Sequence, residues 1–121
     1  MSHDTWQEQL RRGTLDLAIL LTVSEGPRYG LAIIQHLDAF TDLVVTEGTI
    51  YPILGRLTRE GLLEAEWVEG EASHPRKYYR LTRLGAKRLA DMKGAWRAFA
   101  EKIDRLVDAA DLARAARRGN T

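Results

Sequence analysis

Near the carboxyl end, Leu89, Met92, Trp96, Phe99, Ile103 and Leu106 follow one another at steps of three, four, three, four and three residues, and Ala110 and Ala113 prolong the pattern. This is a heptad stripe, the signature of a long helix with one apolar seam. Thr82 is placed to cap that helix, which meets no proline before Arg118, with Gly119 just beyond. A helix of about 35 residues, rising ~1.5 Å at each, is too long for the rest of a small chain to cover while also building a core. The stripe therefore predicts a partner, by default a second copy about a twofold axis. The expected interface is Leu89, Met92, Trp96, Phe99, Ile103 and Leu106, with Trp6, Leu10 and Leu17 of the first helix packing on the partner's last helix.

The residues before the stripe divide into shorter elements. Thr5 is read as the cap of a first helix in which Trp6, Leu10, Gly13, Leu17, Leu20 and Leu21 recur mostly at helical spacing, ending near Glu25-Gly26-Pro27. A second helix from Tyr29 or Gly30 to Phe40 is expected to bury Leu31, Ile34 and Leu37, with Ile33 and Phe40 as further candidates, before Thr41-Asp42 breaks it. A third runs from Glu47 to about Glu60, capped by Thr46 and closed by Gly61 as a left-handed residue. Leu63–Val68 then alternates apolar and acidic residues, Arg76–Leu81 has similar character, and Gly70–Pro75 supplies turn residues. Trp67 is expected to pack on the strand's buried face.

Three helices, a hairpin and a last helix make a mainly α fold with a small β-hairpin: a winged helix-turn-helix with a long C-terminal dimerisation helix. The expected division is residues 1–82 for the winged helix, its N-terminal helix also in the dimer contact, and 83–121 for the dimerisation helix. With 121 residues, 45% of them hydrophobic, the chain is sized for one folding unit. It has no run of about 18 apolar residues and no secretory pattern at its start, so no membrane partner and a cytoplasmic location are expected. The absence of cysteine excludes disulfides and thiolate metal sites.

Net charge is only +1, but it is unevenly spread. Arg76, Lys77, Arg80, Arg83, Lys87, Arg88, Lys93 and Arg97 fall close together with Asp91 as the one acid among them. Such a segment attracts phosphates, although a solvated helix face and a basic hairpin would look the same.

On the third helix, steps of 100° place Ile50, Ile53, Leu54 and Leu57 on the inward side. Its outer face carries Gly48, Pro52, Gly55 and Arg59, flanked by Arg56 and Thr49 on one edge and Tyr51 on the other, with Thr46 at its start. Small residues let a helix approach a groove wall, arginine reads guanine edges or phosphate, and hydroxyls reach phosphate oxygens. Two glycines and a proline are poor helix formers, and Pro52 implies either a kink or a later helix start. His74, Arg76 and Lys77 sit at the hairpin tip and the returning strand, where a wing could lie along a phosphate backbone; an ordinary charged hairpin is the plainer alternative. Met92, Trp96 and Phe99 could line a cavity for a planar aromatic molecule, or simply form interface core.

No catalytic, metal or cofactor site is expected, because His3, His36 and His74 lie on separate segments with no nucleophile or metal spacing. Sequence-specific binding to double-stranded DNA as a homodimer is the leading reading. A winged helix used only for protein assembly is the alternative.

Taken together, Tyr29-Gly30, Glu47-Gly48-Thr49-Ile50-Tyr51-Pro52-Ile53-Leu54, Arg56-Leu57, Glu60-Gly61-Leu62 and Pro75-Arg76-Lys77-Tyr78-Tyr79-Arg80-Leu81-Thr82 with Gly85 closely resemble the PadR family of transcriptional regulators, in its short subgroup with a single C-terminal helix. The resemblance implies a dimeric repressor on a palindromic operator, released by a small, often aromatic, effector. It implies that the helix around Thr49 and Tyr51 enters the major groove, that Arg76 and Lys77 hold backbone, and that Pro52 belongs to the motif.

Overall fold

The computed structural model describes residues 3–41, 45–70 and 74–119. The elements run α1 (His3–Ser24), β1 (Arg28–Tyr29), α2 (Gly30–Thr41), α3 (Glu47–Arg59), β2 (Leu63–Glu69), β3 (Pro75–Leu81) and α4 (Arg83–Gly119). The strands form one antiparallel sheet in the order β1-β3-β2. This is the mainly α winged helix expected, with one addition: the two-residue β1 pairs Arg28 with Tyr79 and Tyr29 with Tyr78. The hairpin register sets Leu63 opposite Leu81 and Trp67 opposite Lys77. Asp42 and the Ser73 part of the turn lie outside the described residues.

The chain divides into two compact units, Met1–Leu89 and Ala90–Thr121. The core of the first is built from Leu15, Ile19, Leu20 and Val23 of α1, Ile33 and Leu37 of α2, and Ile50, Leu54 and Leu57 of α3, with Leu62 added by the turn after α3 and Leu63 and Tyr79 by the sheet. Burial at three- and four-residue steps on each helix explains why these segments are helical. Leu31 and Phe40 do not join this core; Phe40 is 80% exposed, its ring stacked on His36 with centroids 5.8 Å apart.

Helix ends follow the chemistry of their residues. α1 begins at His3, so Thr5 stands in the first turn, where backbone N–H groups have no intrahelical acceptor whichever residue leads. Its other end turns at Gly26, whose φ of 148° suits glycine. α3 has Thr46 in extended conformation at its cap, but the hydroxyl makes no capping bond and instead lies 3.1 Å from that of Thr49. Gly61 closes the helix at φ 80°, while the N–H groups of Gly61 and Leu62 donate to Thr58 and Leu57 in a Schellman arrangement.

Thr82 does cap α4: its Oγ1 accepts from the Gly85 N–H at 2.9 Å and donates to the Gly61 carbonyl at 2.6 Å. A Cβ at Gly85 would collide with the Leu62 carbonyl oxygen, so only glycine admits this close approach. Leu89, read as the first residue of the heptad stripe, is buried with 4% exposure and completes the core of the Met1–Leu89 unit. Its own chain covers it, which corrects its assignment to a dimer interface.

Candidate nucleic-acid interface

α3 turns Ile50, Leu54 and Leu57 inward, and Ile53 is half-buried. The opposite surface presents Thr46, Gly48, Thr49, Tyr51, Pro52 and Arg59 to solvent, with Gly55 half-buried among them. Pro52 stands inside the helix, which begins at Glu47 and not after the proline. The proline removes the donor that would meet the Gly48 carbonyl, and Gly48 is exposed, so water can satisfy that oxygen. A Cβ at Gly55 would lie 3.4 Å from Nη1 of Arg59. The missing side chain therefore leaves space for that guanidinium along the helix.

Arg56 behaves differently from Arg59. Its Nη2 lies 2.7 and 2.9 Å from the two carboxylate oxygens of Asp16 on α1, and its Nη1 lies 3.1 Å from Glu60. Hydrogen bonding to Asp16, then to Glu60, raises its already high pKa, so the guanidinium is held charged between two acids. Sequence spacing places Arg56 on the reading surface; the fold ties it to α1.

Between α3 and the wing is a hollow of about 570 Å³, bordered by Tyr51, Gly55, Trp67, Arg76 and Lys77, with Tyr79 and Gly30 also lining it. The Arg76 guanidinium sits 4.5 Å from the Tyr29 ring centroid, and Tyr29 meets Tyr78 edge-on at 5.5 Å. Lys77 Nζ lies 5.9 Å from the Trp67 centroid and 5.8 Å from that of Tyr79. These rings orient the two wing cations without neutralising them. Burial, and secondarily the nearby Tyr51, raises the Tyr79 pKa, which keeps its hydroxyl protonated. Trp67 is 66% exposed and not packed, because the sheet face is covered at Leu63 and only partly at Ala65. His74 is exposed just before β3. Arg80 lies on the other face of the sheet, 3.3 Å from Glu64 and 3.4 Å from Glu66.

Gly30 has a role that sequence alone does not assign. A Cβ there would stand 2.5 to 2.8 Å from two ring carbons and the hydroxyl oxygen of Tyr51. The α2 start is thus a seat for the α3 tyrosine. Tyr-Gly before a helix is the only sequence signal for it.

In the Ala90–Thr121 unit α4 continues to Gly119 with most of its large apolar side chains open to solvent in the single chain. Trp96, Phe99, Ile103 and Leu106 are exposed, as are Val107 and Leu112, and Met92 is half-buried. On α1, Trp6 and Leu10 are exposed and Leu17 is half-buried. No described helix is long and apolar enough to cross a membrane.

Comparison with known proteins places this architecture. The model of the transcriptional regulator PadR-like family matches residues 19–91. An uncharacterised protein of Lysinibacillus sphaericus is 33% identical over 99 residues, which is 80% of this chain and 91% of the relative. Among solved structures, a PadR-like transcription factor from Bacteroides fragilis is 38% identical, with a TM-score of 0.70 over 84% of this chain and 98% of the other. A PadR family transcriptional regulator from Eggerthella lenta gives 35% identity and a TM-score of 0.77 over 86% and 90%. The family match spans α2, α3 and both wing strands, the elements that carry the exposed glycine, tyrosine and arginine surface. The chain belongs to the PadR-like family of transcriptional regulators, and its work is DNA binding and not enzymatic catalysis.

Proposed function

We propose that the protein is a homodimeric repressor that reads a palindromic operator and is released by a planar aromatic effector. One chain combines an exposed Gly48-Tyr51-Arg59 surface on α3 with an exposed Trp96-Phe99-Ile103-Leu106 stripe on α4, and this combination carries the reading. The first surface is suited to base edges, with Arg59 as the group able to address guanine, and the wing cations Arg76 and Lys77 to phosphates. The second leaves large apolar side chains in water unless a second copy covers them. Two reading helices related by a twofold axis select two inverted half-sites about 34 Å apart. A dimer on such a site obstructs transcription of the adjoining gene in the cytoplasm. Met92, Trp96 and Phe99 offer aromatic and thioether surface to an effector.

The test is a gel-shift titration with duplex from upstream of the protein's own gene. Arg59→Ala and Tyr51→Ala each weaken binding, Arg59→Ala by about 1–3 kcal/mol or roughly 5- to 150-fold, while the dimer mass is kept. Unchanged binding in both variants refutes the reading of α3.

A further inference from the structure

Hollows lie on both sides of α3. On one side Tyr51 and Gly55 share the larger hollow with the wing cations Arg76 and Lys77. On the other, Thr46, Thr49 and Ile53 share a hollow of about 360 Å³ with Arg11 and Arg12 of α1. Arg11 is half-buried and Arg12 exposed, and among the described residues neither guanidinium has a carboxylate within ion-pair distance. Arg56, the α3 cation that reaches toward α1, is already held by Asp16 and Glu60. A second pair of cations therefore stands beside the reading helix, on the edge away from the wing.

A duplex bounds its major groove, about 12 Å wide, with a phosphate strand on each side. A helix lying in that groove meets both strands, and wing cations on one edge can neutralise only one of them. We propose that Arg11 and Arg12 hold the other phosphate strand, which makes α1 part of the DNA-binding surface. Guanidinium groups suit the role, since their paired N–H donors match phosphate oxygens. At 100° per residue, Arg11 and Arg12 stand about 120° and 140° around α1 from the Trp6, Leu10 and Leu17 stripe, one to each side, so both lie off the stripe and one helix serves a strand of DNA and a second copy of the chain together. Glu8 faces the same hollow and offsets part of its positive charge.

This inference rests on α3 being the groove-binding helix, and the experiment separates the two. The full chain is titrated by fluorescence anisotropy against its upstream duplex and a scrambled duplex of equal length, between about 50 and 200 mM salt. The Arg11→Ala/Arg12→Ala protein binds both duplexes more weakly by the same factor. Its log–log salt slope is shallower by about 0.9 for each phosphate that the variant no longer neutralises, roughly 1.8 per protomer. Arg11→Lys/Arg12→Lys keeps the slope, and Glu8→Gln tightens binding to both duplexes. An unchanged slope while wild-type protein binds, a loss confined to the upstream duplex, or a shift from dimer to monomer mass overturns the inference alone. Wild-type protein that ignores both duplexes in dilute salt overturns the reading of α3, and this inference with it.

Discussion

Arg56 and Asp16, forty positions apart in sequence, are joined across α3 and α1 by two contacts of 2.7 and 2.9 Å from one guanidinium nitrogen. With Glu60 on the other nitrogen, Arg56 is a tether for the reading helix. Arg56→Ala should cost about 0.2–1 kcal/mol of stability, because both partners remain partly exposed. It should leave the salt slope of duplex binding unchanged, since a guanidinium held by two acids neutralises no phosphate. Asp16→Ala should release the guanidinium and steepen the slope. Urea unfolding and salt titrations read both effects, and a shallower slope in Arg56→Ala would assign this arginine to DNA after all.

Gly30 and Gly85 are both too crowded for a Cβ, but the obstacles differ. At Gly30 the obstacle is the end of the exposed Tyr51 side chain, which can swing aside; at Gly85 it is the fixed Leu62 carbonyl. Gly30→Ala is expected to weaken duplex binding several-fold with little change in urea midpoint. Gly85→Ala is expected to lose about 1–3 kcal/mol or more. Equal stability losses in the two variants would contradict this account.

Leu89 and Leu106 occupy the same heptad stripe with opposite surroundings. Leu89→Ala should cost about 2–5 kcal/mol by opening a cavity in the core. Leu106→Asp, at a position 66% exposed in the single chain, should leave the winged helix folded and give monomers by light scattering. A dimer mass for Leu106→Asp would remove the α4 stripe from the interface.

Trp96 is the expected optical reporter of an effector. Planar aromatic molecules should quench tryptophan fluorescence in the dimer, and Trp96→Ala should abolish the response. Because Trp67 and Trp6 are also exposed, the decisive titration belongs in a Trp6→Phe/Trp67→Phe background. Trp96 is then the one tryptophan left in the chain, and emission that planar aromatic molecules leave unchanged in this background places the ligand elsewhere.

Periodicity makes most of the fold readable. Ile50, Leu54 and Leu57 are spaced for one helix face and all are buried, while Gly61 adopts the left-handed conformation that its place after a helix implies. Periodicity does not say who covers a position, and for that reason Leu89 looks identical to Trp96 in the sequence. Alternation in β2 likewise marks a face without showing how far its cover extends, so Trp67 reads as packed and proves exposed. β1 has only two residues and exists through its pairing with Tyr78 and Tyr79, which no local pattern announces. The outer surface of α3 is legible from composition. The capture of Arg56 by a distant aspartate, and the arrival of Arg11 and Arg12 beside Thr46 and Thr49, depend on tertiary packing of α1 against α3 and leave no local trace.

The hydroxyl of Thr82 links the end of the wing, the turn after α3 and the first turn of α4, and Leu89 fills the core about two turns later. A fragment cut at the end of the hairpin would therefore lose both the plug and the latch of its own interior. The smallest self-sufficient reading module reaches at least to Leu89, and the opening turns of α4 are structural masonry for the wing before any of that helix is free to meet another molecule.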